Sequence, residues 1–534
     1  MRVRAAALLV FAAALLLYLP AVRNGFAYDD HMIVRINESV HDLSNAHRLF
    51  TQPYWPVEDL GLYRPLVLLG FAVDWAISGG SPGWFHFVNA LWNAAASALV
   101  FLFLISFVHV PVAALAALVF AAHPVHVEAV ANIVGRAEVM AAVFSLVALV
   151  TWVRSDPDRP LPPARLGLVL TCYVLALLSK ENAIMLPALL ALADIARGAL
   201  TPAAIGRWAR CRASAFAMMA AAALTWLAAR GVVLGELGPD AVDPTLDVAT
   251  ATIPRILTAL QAWPTILRLL IVPYTLLADY GPGVIMPALG MTAAAAAGAL
   301  VFAGLVAGGT AAWLRGRGRT AAVLLFLPVA LLPTSNLIVP IGIIVAERTL
   351  YLPSLVVPMA LAFAAASWWQ SRHRTAVIAA ASIVILLFSA RTLLRIPVWD
   401  STASVHAALL RDRPDAFRGH WYLARVAVNR NAPREALERY SDALGIWPYR
   451  QRLVLEAAAY AAQSGDLPFA ARLTTFALSR WPNDVRFLRI HAAAHLDLGD
   501  TATARSSIDR ALRIAPEDST LLAMRSAILP GLRQ

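Results

Sequence analysis

Up to Arg391 the chain alternates long apolar runs with short polar gaps, and beyond it the alternation stops. A bilayer core about 30 Å thick needs roughly 20 mostly apolar residues in a helix, fewer where the ends lie in the interface. The pattern therefore predicts spanning helices over 5–20, 86–108, 110–131, 137–153, 166–180, 183–196, 214–230, 291–313, 320–335, 350–368 and 375–391, about 11 in all. The apolar stretch 256–277 holds Pro264, Arg268 and Pro273, so it either crosses or re-enters, and re-entry is the reading that suits the charges below. The first run follows Arg2 and Arg4 and is short enough to be read also as a signal peptide, whose removal would leave the next loop on the same side.

After Arg391 a period replaces the apolar runs. Pro414, Pro448, Pro482 and Pro516 stand 34 residues apart, with Ala436, Ala470 and Ala504, and Ala443, Ala477 and Ala511, in the same register. Proline ends a second helix and alanine lets paired helices approach, the pattern of tetratricopeptide units. The expected fold is all-α: a polytopic membrane domain over 1–395, with 21–85 as its first outer loop, then about three repeats over 396–534. The repeats read as a platform for a protein or peptide, or as a stabilising appendage.

Composition agrees with the pattern: of 534 residues 60% are hydrophobic and 14% charged, and the mean hydropathy is +0.66. The net charge of +11 does not point to nucleic acid, because the basic residues are scattered through gaps between apolar runs. Cys172 and Cys211 make neither a disulfide framework nor a thiolate metal site.

The charges divide the two membrane faces. Arg2 and Arg4, Arg154 with Arg159 and Arg165, Arg197 with Arg207, Arg210 and Arg212, Arg315 with Arg317 and Arg319, and Arg372 with Arg374 all fall on one side if 256–277 does not cross. Short cytoplasmic loops carry such an excess, so the N-terminus is expected in the cytoplasm and the repeats outside. The loop 231–254 is acidic by contrast, with Glu236, Asp240, Asp243 and Asp247.

On that outer face carboxylates meet cations. Asp29 and Asp30 follow the first span; His123, His126 and Glu128 end the third; Arg136 and Glu138 start the fourth. Lys180 and Glu181 occupy the turn after the fifth, Glu347 and Arg348 precede the span near 350, and Arg64 lies in the first outer loop. Singly each has an ordinary reading, as a solvated or snorkelling charge, a packed histidine, or for His-x-x-His with Glu128 a weak metal spacing. Together they suit a lipid-linked phosphate donor: cations for the phosphate and a carboxylate as general base for an acceptor hydroxyl. A transporter would hold its ionisable groups near mid-bilayer; a non-catalytic assembly scaffold is the other reading from that class.

The blocks Phe26-Ala27-Tyr28-Asp29-Asp30-His31, Tyr63-Arg64-Pro65-Leu66, His123 through Glu138, Ser179-Lys180-Glu181-Asn182 and Ala346 through Ser354 resemble, in order, those of the TMTC proteins, transmembrane and tetratricopeptide-repeat O-mannosyltransferases. The resemblance implies a GT-C fold, a dolichyl-phosphate-type donor, inverting transfer to Ser or Thr hydroxyls, and a catalytic aspartate after the first helix. The chain departs in having few repeats and an Ala- and Arg-rich composition suggestive of a bacterium, so the expected donor is a polyprenyl-phosphate sugar, mannose or another hexose, used at the periplasmic face of the inner membrane. A transferase of the same fold acting on an envelope glycan or lipid is the alternative. The assignments are Asp29 and Asp30 as base and orienting acid, Arg348, Lys180, Arg64 and Arg136 for the donor phosphate, and Glu347, Glu181, Glu138, His123, His126 and Glu128 as sugar-contacting or orienting groups. No metal centre is assigned, and a divalent ion at Asp29 and Asp30 stays open.

Overall fold

In the computed structural model all regular structure among the described residues, 2–56, 61–235, 244–248, 251–369 and 373–528, is helical. Glu236, Asp240, Asp243 and Arg372 lie outside them, as does the side chain of Asp247. Two compact units are present, one of residues up to Gly281 with Ile285–Ala408, the other of Pro282–Val284 with the residues from Leu409 on.

The first unit contains α1 (Val3–Tyr18), α2 (Pro65–Ser78), α3 (Pro82–Leu104), α4 (Val110–Ala122), the single turn α5 (Val127–Val130), α6 (Arg136–Val153), α7 (Pro163–Ser179), α8 (Leu186–Ala196) and α9 (Ile205–Leu234). The short α10 (Pro244–Val248), α11 (Thr252–Leu260) and α12 (Trp263–Ile271) precede α13 (Ala293–Leu314), α14 (Gly318–Leu331), α15 (Val356–Trp368) and α16 (Arg374–Arg395). Among the described residues six helices are long and apolar enough to cross a membrane, seven when α4 and the turns after it, bent by 47°, count as one span. The chain is a multi-pass membrane protein.

Four of the expected spans, at α7, α8, α14 and α15, are helices of 11 to 17 residues. Their shortness has a local cause: 3-10 turns at Glu181–Met185, Leu332–Thr334 and Pro353–Leu355 replace α-helix at one end of α8, α14 and α15. The stretch 256–277 is broken at Gln261 and Ala262 into α11 and α12, nine residues each. A nine-residue helix is about 14 Å long, half a bilayer core.

Burial sorts the spans. The segment containing α6 is 89% buried and that containing α16 is 6% buried, so α6 is the central post and α16 a peripheral one. The core gathers around α6, with Leu146, Leu149 and Trp152 against Val100, Leu104, Phe120 and Tyr173.

The expected loop 21–85 is a folded cap. Ile33, Val34, Val40, Leu49 and Tyr54 from its turns pack with Val67, Leu68 and Phe71 of α2, Phe85 of α3 and Ile133. Helix α2 was not anticipated, because an apolar 14-residue run reads as neither a span nor a surface helix. Arg64, just before α2, is bonded to Glu181, and Asp74 in its last turns to Arg136. Both tie points are loop or helix-start residues of the same end of the bundle, so α2 lies across that end.

In the second unit α17 (Thr402–Asp412), which begins in the first, leads into α18 (Phe417–Asn429), α19 (Pro433–Ile446), α20 (Gln451–Gln463), α21 (Leu467–Arg480), α22 (Val485–Asp497), α23 (Thr501–Ile514) and α24 (Ser519–Ile528). Ala436, Ala470 and Ala504, and Ala443, Ala477 and Ala511, are all fully buried, each admitting a neighbouring helix. Asn431, Gly465 and Gly499, at equivalent turns between paired helices, have φ of 55°, 86° and 83°. This left-handed residue past the first helix reverses the chain within a few residues.

Candidate functional site

Asp29 and Asp30 have different surroundings. Asp30 is fully buried; its Oδ2 accepts from the Ala27 N–H at 3.1 Å and its Oδ1 from the Val134 N–H at 2.9 Å. Burial pushes its carboxyl up to about 7, against the backbone amides of Ala27, Val134 and Ile133, which lower it, while the charge of Asp29 adds to the rise. Asp30 is thus a staple between the first-loop segment and the turn preceding α6. That turn needs glycine: a Cβ on Gly135 would stand 2.5 Å from the Ala129 carbonyl oxygen. Asp29 is half-buried, the more accessible carboxylate of the two. Directly before it Tyr28 holds φ of 55°, an unfavourable conformation for a non-glycine residue that surrounding contacts must enforce.

Three cation–carboxylate pairs lie in the same unit, and Arg348 of one of them is within electrostatic reach of Asp29. Arg348 Nη1 donates to Glu128 Oε1 at 2.6 Å, and the Arg348 backbone N–H to Glu128 Oε2 at 2.9 Å. Arg64 grips Glu181 with two bonds, Nη2 to Oε1 at 2.6 Å and Nε to Oε2 at 3.0 Å, while its guanidinium covers the Tyr54 ring at 5.1 Å. Lys180 Nζ meets Glu138 Oε1 at 2.6 Å, and Asn182 donates to the other oxygen of Glu138 at 3.1 Å. Arg348 is within electrostatic reach of Asp29 and Glu138, Lys180 of Arg64, Glu181 and Arg348, and Tyr54 of Asp29. Although burial raises the Glu181 carboxyl, Arg64 and Lys180 hold it down at about 2, so this pair stays ionised.

Each pairing leaves donors over. A guanidinium has five N–H groups and an ammonium three, and among the described residues these pairs use one side-chain donor on Arg348, two on Arg64 and one on Lys180. The carboxylates fix the cations in direction and leave N–H groups that could donate to an anion.

The other predicted residues have partners outside these three pairs. Arg136, fully buried, donates to Asp74, to Asn89 at 2.7 Å and to the Phe85 carbonyl at 3.0 Å, with Phe71 under its plane at 4.8 Å; it ties α2 and α3 to α6. His123 bridges the Leu270 carbonyl and the Val125 N–H. His126 bonds Ser354 at 2.7 Å between the rings of Phe120 and Tyr351. Both histidines are fully buried. Glu347 Oε1 accepts from the Tyr280 hydroxyl at 2.7 Å and from the Leu277 N–H. Burial pushes Glu347 up to about 7, with Arg395 opposing and Glu128 adding to the rise. Among the described residues no three His, Cys, Asp or Glu side chains converge as metal ligands, and both oxygens of Asp30 already face amide donors.

Sequence reasoning missed Asn182 as a partner of Glu138, Tyr54 under Arg64, and the segment after α16. Asn24 Nδ2 donates to the Ile396 carbonyl at 3.0 Å, Gly25 N–H to the Asp400 carbonyl at 3.0 Å and Tyr28 N–H to Thr402 Oγ1 at 2.9 Å. The signal was present only in part: Asn182 stands inside the Ser-Lys-Glu-Asn block, whereas nothing in 396–402 stands out.

No family model matches the chain. Human "Protein O-mannosyl-transferase TMTC3" is 26% identical over 489 residues, covering 79% of this chain and 53% of that protein. Another TMTC relative, Drosophila melanogaster "Protein O-mannosyl-transferase Tmtc2", is 37% identical over 196 residues, 35% of this chain and 21% of that protein. Caenorhabditis elegans "Protein O-mannosyl-transferase F38B6.6" is 26% identical over 459 residues, 83% and 62%. The chain spans about half the length of the TMTC relatives it matches over most of its own.

Proposed function

We propose that the chain is a glycosyltransferase moving a sugar, mannose or another hexose, from a polyprenyl-phosphate donor to Ser or Thr hydroxyls of proteins. The observation that carries this is the half-buried Asp29 within electrostatic reach of Arg348, whose neighbours Lys180 and Arg64 are, like it, each oriented by a carboxylate. The names of the TMTC relatives support the same chemistry.

In this mechanism the Asp29 carboxylate accepts the proton of the acceptor hydroxyl as its oxygen attacks the anomeric carbon of the sugar. The bond from that carbon to the phosphate oxygen breaks, and polyprenyl phosphate leaves with the bond's electrons. Attack opposite the leaving group inverts the anomeric centre. Arg348, Lys180 and Arg64 offer N–H groups to the phosphate, whose charge grows as it leaves. Arg348 ranks first, because its planar fork matches two phosphate oxygens and it is 19% exposed against 6% for Lys180 and 10% for Arg64. Asp30 and Arg136 hold the elements that carry these groups.

The arginine-rich ends of the spans face the cytoplasm and the Asp29 end faces the periplasm of a bacterial inner membrane, a reading supported by the excess of basic residues in short cytoplasmic loops. The repeat helices from 417 on receive the protein acceptor. Intact-mass and peptide analysis of envelope proteins from a deletion strain tests the function: hexose lost from Ser or Thr is expected. Unchanged proteins with an altered glycan or lipid would move the acceptor to that class.

A further inference from the structure

We infer that Thr402, with His406 behind it, is a positioning residue for the Asp29 loop, so that the chain leaving the last membrane span completes the catalytic geometry. This rests on the reading of Asp29 as the general base.

Four contacts join 24–28 to 396–406, all within the first compact unit, which extends to Ala408. Asn24 Nδ2 to the Ile396 carbonyl and Gly25 N–H to the Asp400 carbonyl pair the two segments. Tyr28 then donates its N–H to Thr402 Oγ1, and its ring stacks on His406, centroids 5.5 Å apart and planes 25° from parallel. His406 is itself held, buried, with Nδ1 at 2.8 Å from the Thr402 carbonyl. These contacts meet at the residue whose φ of 55° a tyrosine adopts only under constraint. The next residue is Asp29.

The other end of the segment lies within electrostatic reach of the second half of the site. Arg395, the last residue of α16, is buried, its Nε and Nη2 without hydrogen-bond partners among the described residues, and it lies within electrostatic reach of Glu347 and Tyr280. Glu347 precedes Arg348. A run from 395 to 406 thus contacts the residue before the proposed base and comes within electrostatic reach of the residue before the foremost phosphate cation. With Asp30 fixed to Val134 from the other side, Asp29 stands between two independent tethers, and the Tyr28 tether governs the direction of its backbone. Misplacing a reacting group by about 1 Å can lower a rate about a hundredfold.

Full-length protein in nanodiscs, with undecaprenyl-phosphate mannose and a threonine-rich peptide, tests this. Thr402→Val keeps the side-chain shape and removes the acceptor for the Tyr28 N–H. We expect kcat to fall about tenfold to a hundredfold, with KM for donor and peptide within about twofold and the melting temperature little changed; Thr402→Ser should restore kcat. Amide exchange over 26–32 should quicken in the Val variant and not in the Ser variant, a readout that needs no turnover. Wild-type kcat and unchanged exchange in Thr402→Val would overturn the inference, as would a loss that Thr402→Ser does not restore. Asp29→Asn in the same series separates the two ideas. If it transfers normally, the reading of Asp29 as base has failed; if it is inactive while Thr402→Val is fully active, only the positioning role has failed.

Discussion

Glu128 binds Arg348 twice, accepting the guanidinium on one oxygen and the backbone N–H of the same residue on the other. The residues are 220 positions apart, and Glu128 is 1% exposed, so the pair both joins α5 to the turn before α15 and aims the arginine.

Removing one member of a buried ion pair leaves the other charge uncompensated, typically at about 3–5 kcal/mol. Glu128→Gln should therefore lower the melting temperature and raise the donor KM together. Arg348→Lys, which keeps the charge and loses the fork, should raise the donor KM with a smaller effect on melting, and Arg348→Ala should raise it further. Equal donor affinity in wild type and both arginine variants would shift the phosphate to Lys180 and Arg64.

The adjacent aspartates should separate cleanly. Asp29→Asn is expected to lower transfer about 10²- to 10⁴-fold, the usual worth of a general base, with melting unchanged. Asp30→Ala leaves two buried amide donors without their acceptor and should destabilise the protein by a few kcal/mol, at about 1–3 kcal/mol for each. Paired melting and turnover measurements decide; the reverse order would exchange the roles.

A pH dependence follows from Asp30. Its carboxyl titrates at about 7 when folded, above the ordinary value of 3.8, so the folded protein holds this proton more tightly than the unfolded chain does. The contribution to stability is fully present below the unfolded value and is lost as pH rises through about 7. Between pH 5 and pH 8 wild type should lose more melting temperature than Asp30→Asn, which cannot titrate there. The opposite difference would mean that the amide bonds outweigh burial.

In the repeats the strain is purely conformational. Gly465 has φ of 86° and open space where a Cβ would stand. Gly465→Val should cost about 1–2 kcal/mol, the penalty for left-handed backbone, whereas Gly465→Asn should be nearly neutral, since Asn431 already occupies the equivalent place. Denaturant melts of the full chain provide the comparison.

Reporter fusions check orientation. Alkaline phosphatase joined after Thr402 should be active and joined after Arg317 inactive. The converse would place the Asp29 end in the cytoplasm.

The all-helical, multi-pass class was legible because 60% apolar residues in long runs admit little else. The break between α11 and α12 was foreshadowed by proline and arginine within an apolar stretch. Helix α2 was not legible, since its apolar face is buried by turns that carry no periodicity of their own. At the site, sequence could name charged residues near span ends but not which cation each carboxylate would take. Arg136 and Lys180 look alike in sequence, yet Arg136 has Asp74, Asn89 and a carbonyl around it, partners fixed by packing at separations of 47 to 62 residues. His123 and His126 suggested chemistry by spacing alone. Their partners, Leu270 and Ser354, come from segments 147 and 228 residues away.

The bond from Tyr28 to Thr402 closes a loop of 374 residues. A ribosome adding about 5–20 residues per second needs on the order of 20–75 seconds to travel that far. Throughout that interval the nascent chain has exposed its Asp-Asp segment without the residue that completes its tether. If Asp29 acts as proposed, competence is set late in biogenesis, after the last long apolar helix has been made, and a chain halted before that point would lack the finished tether.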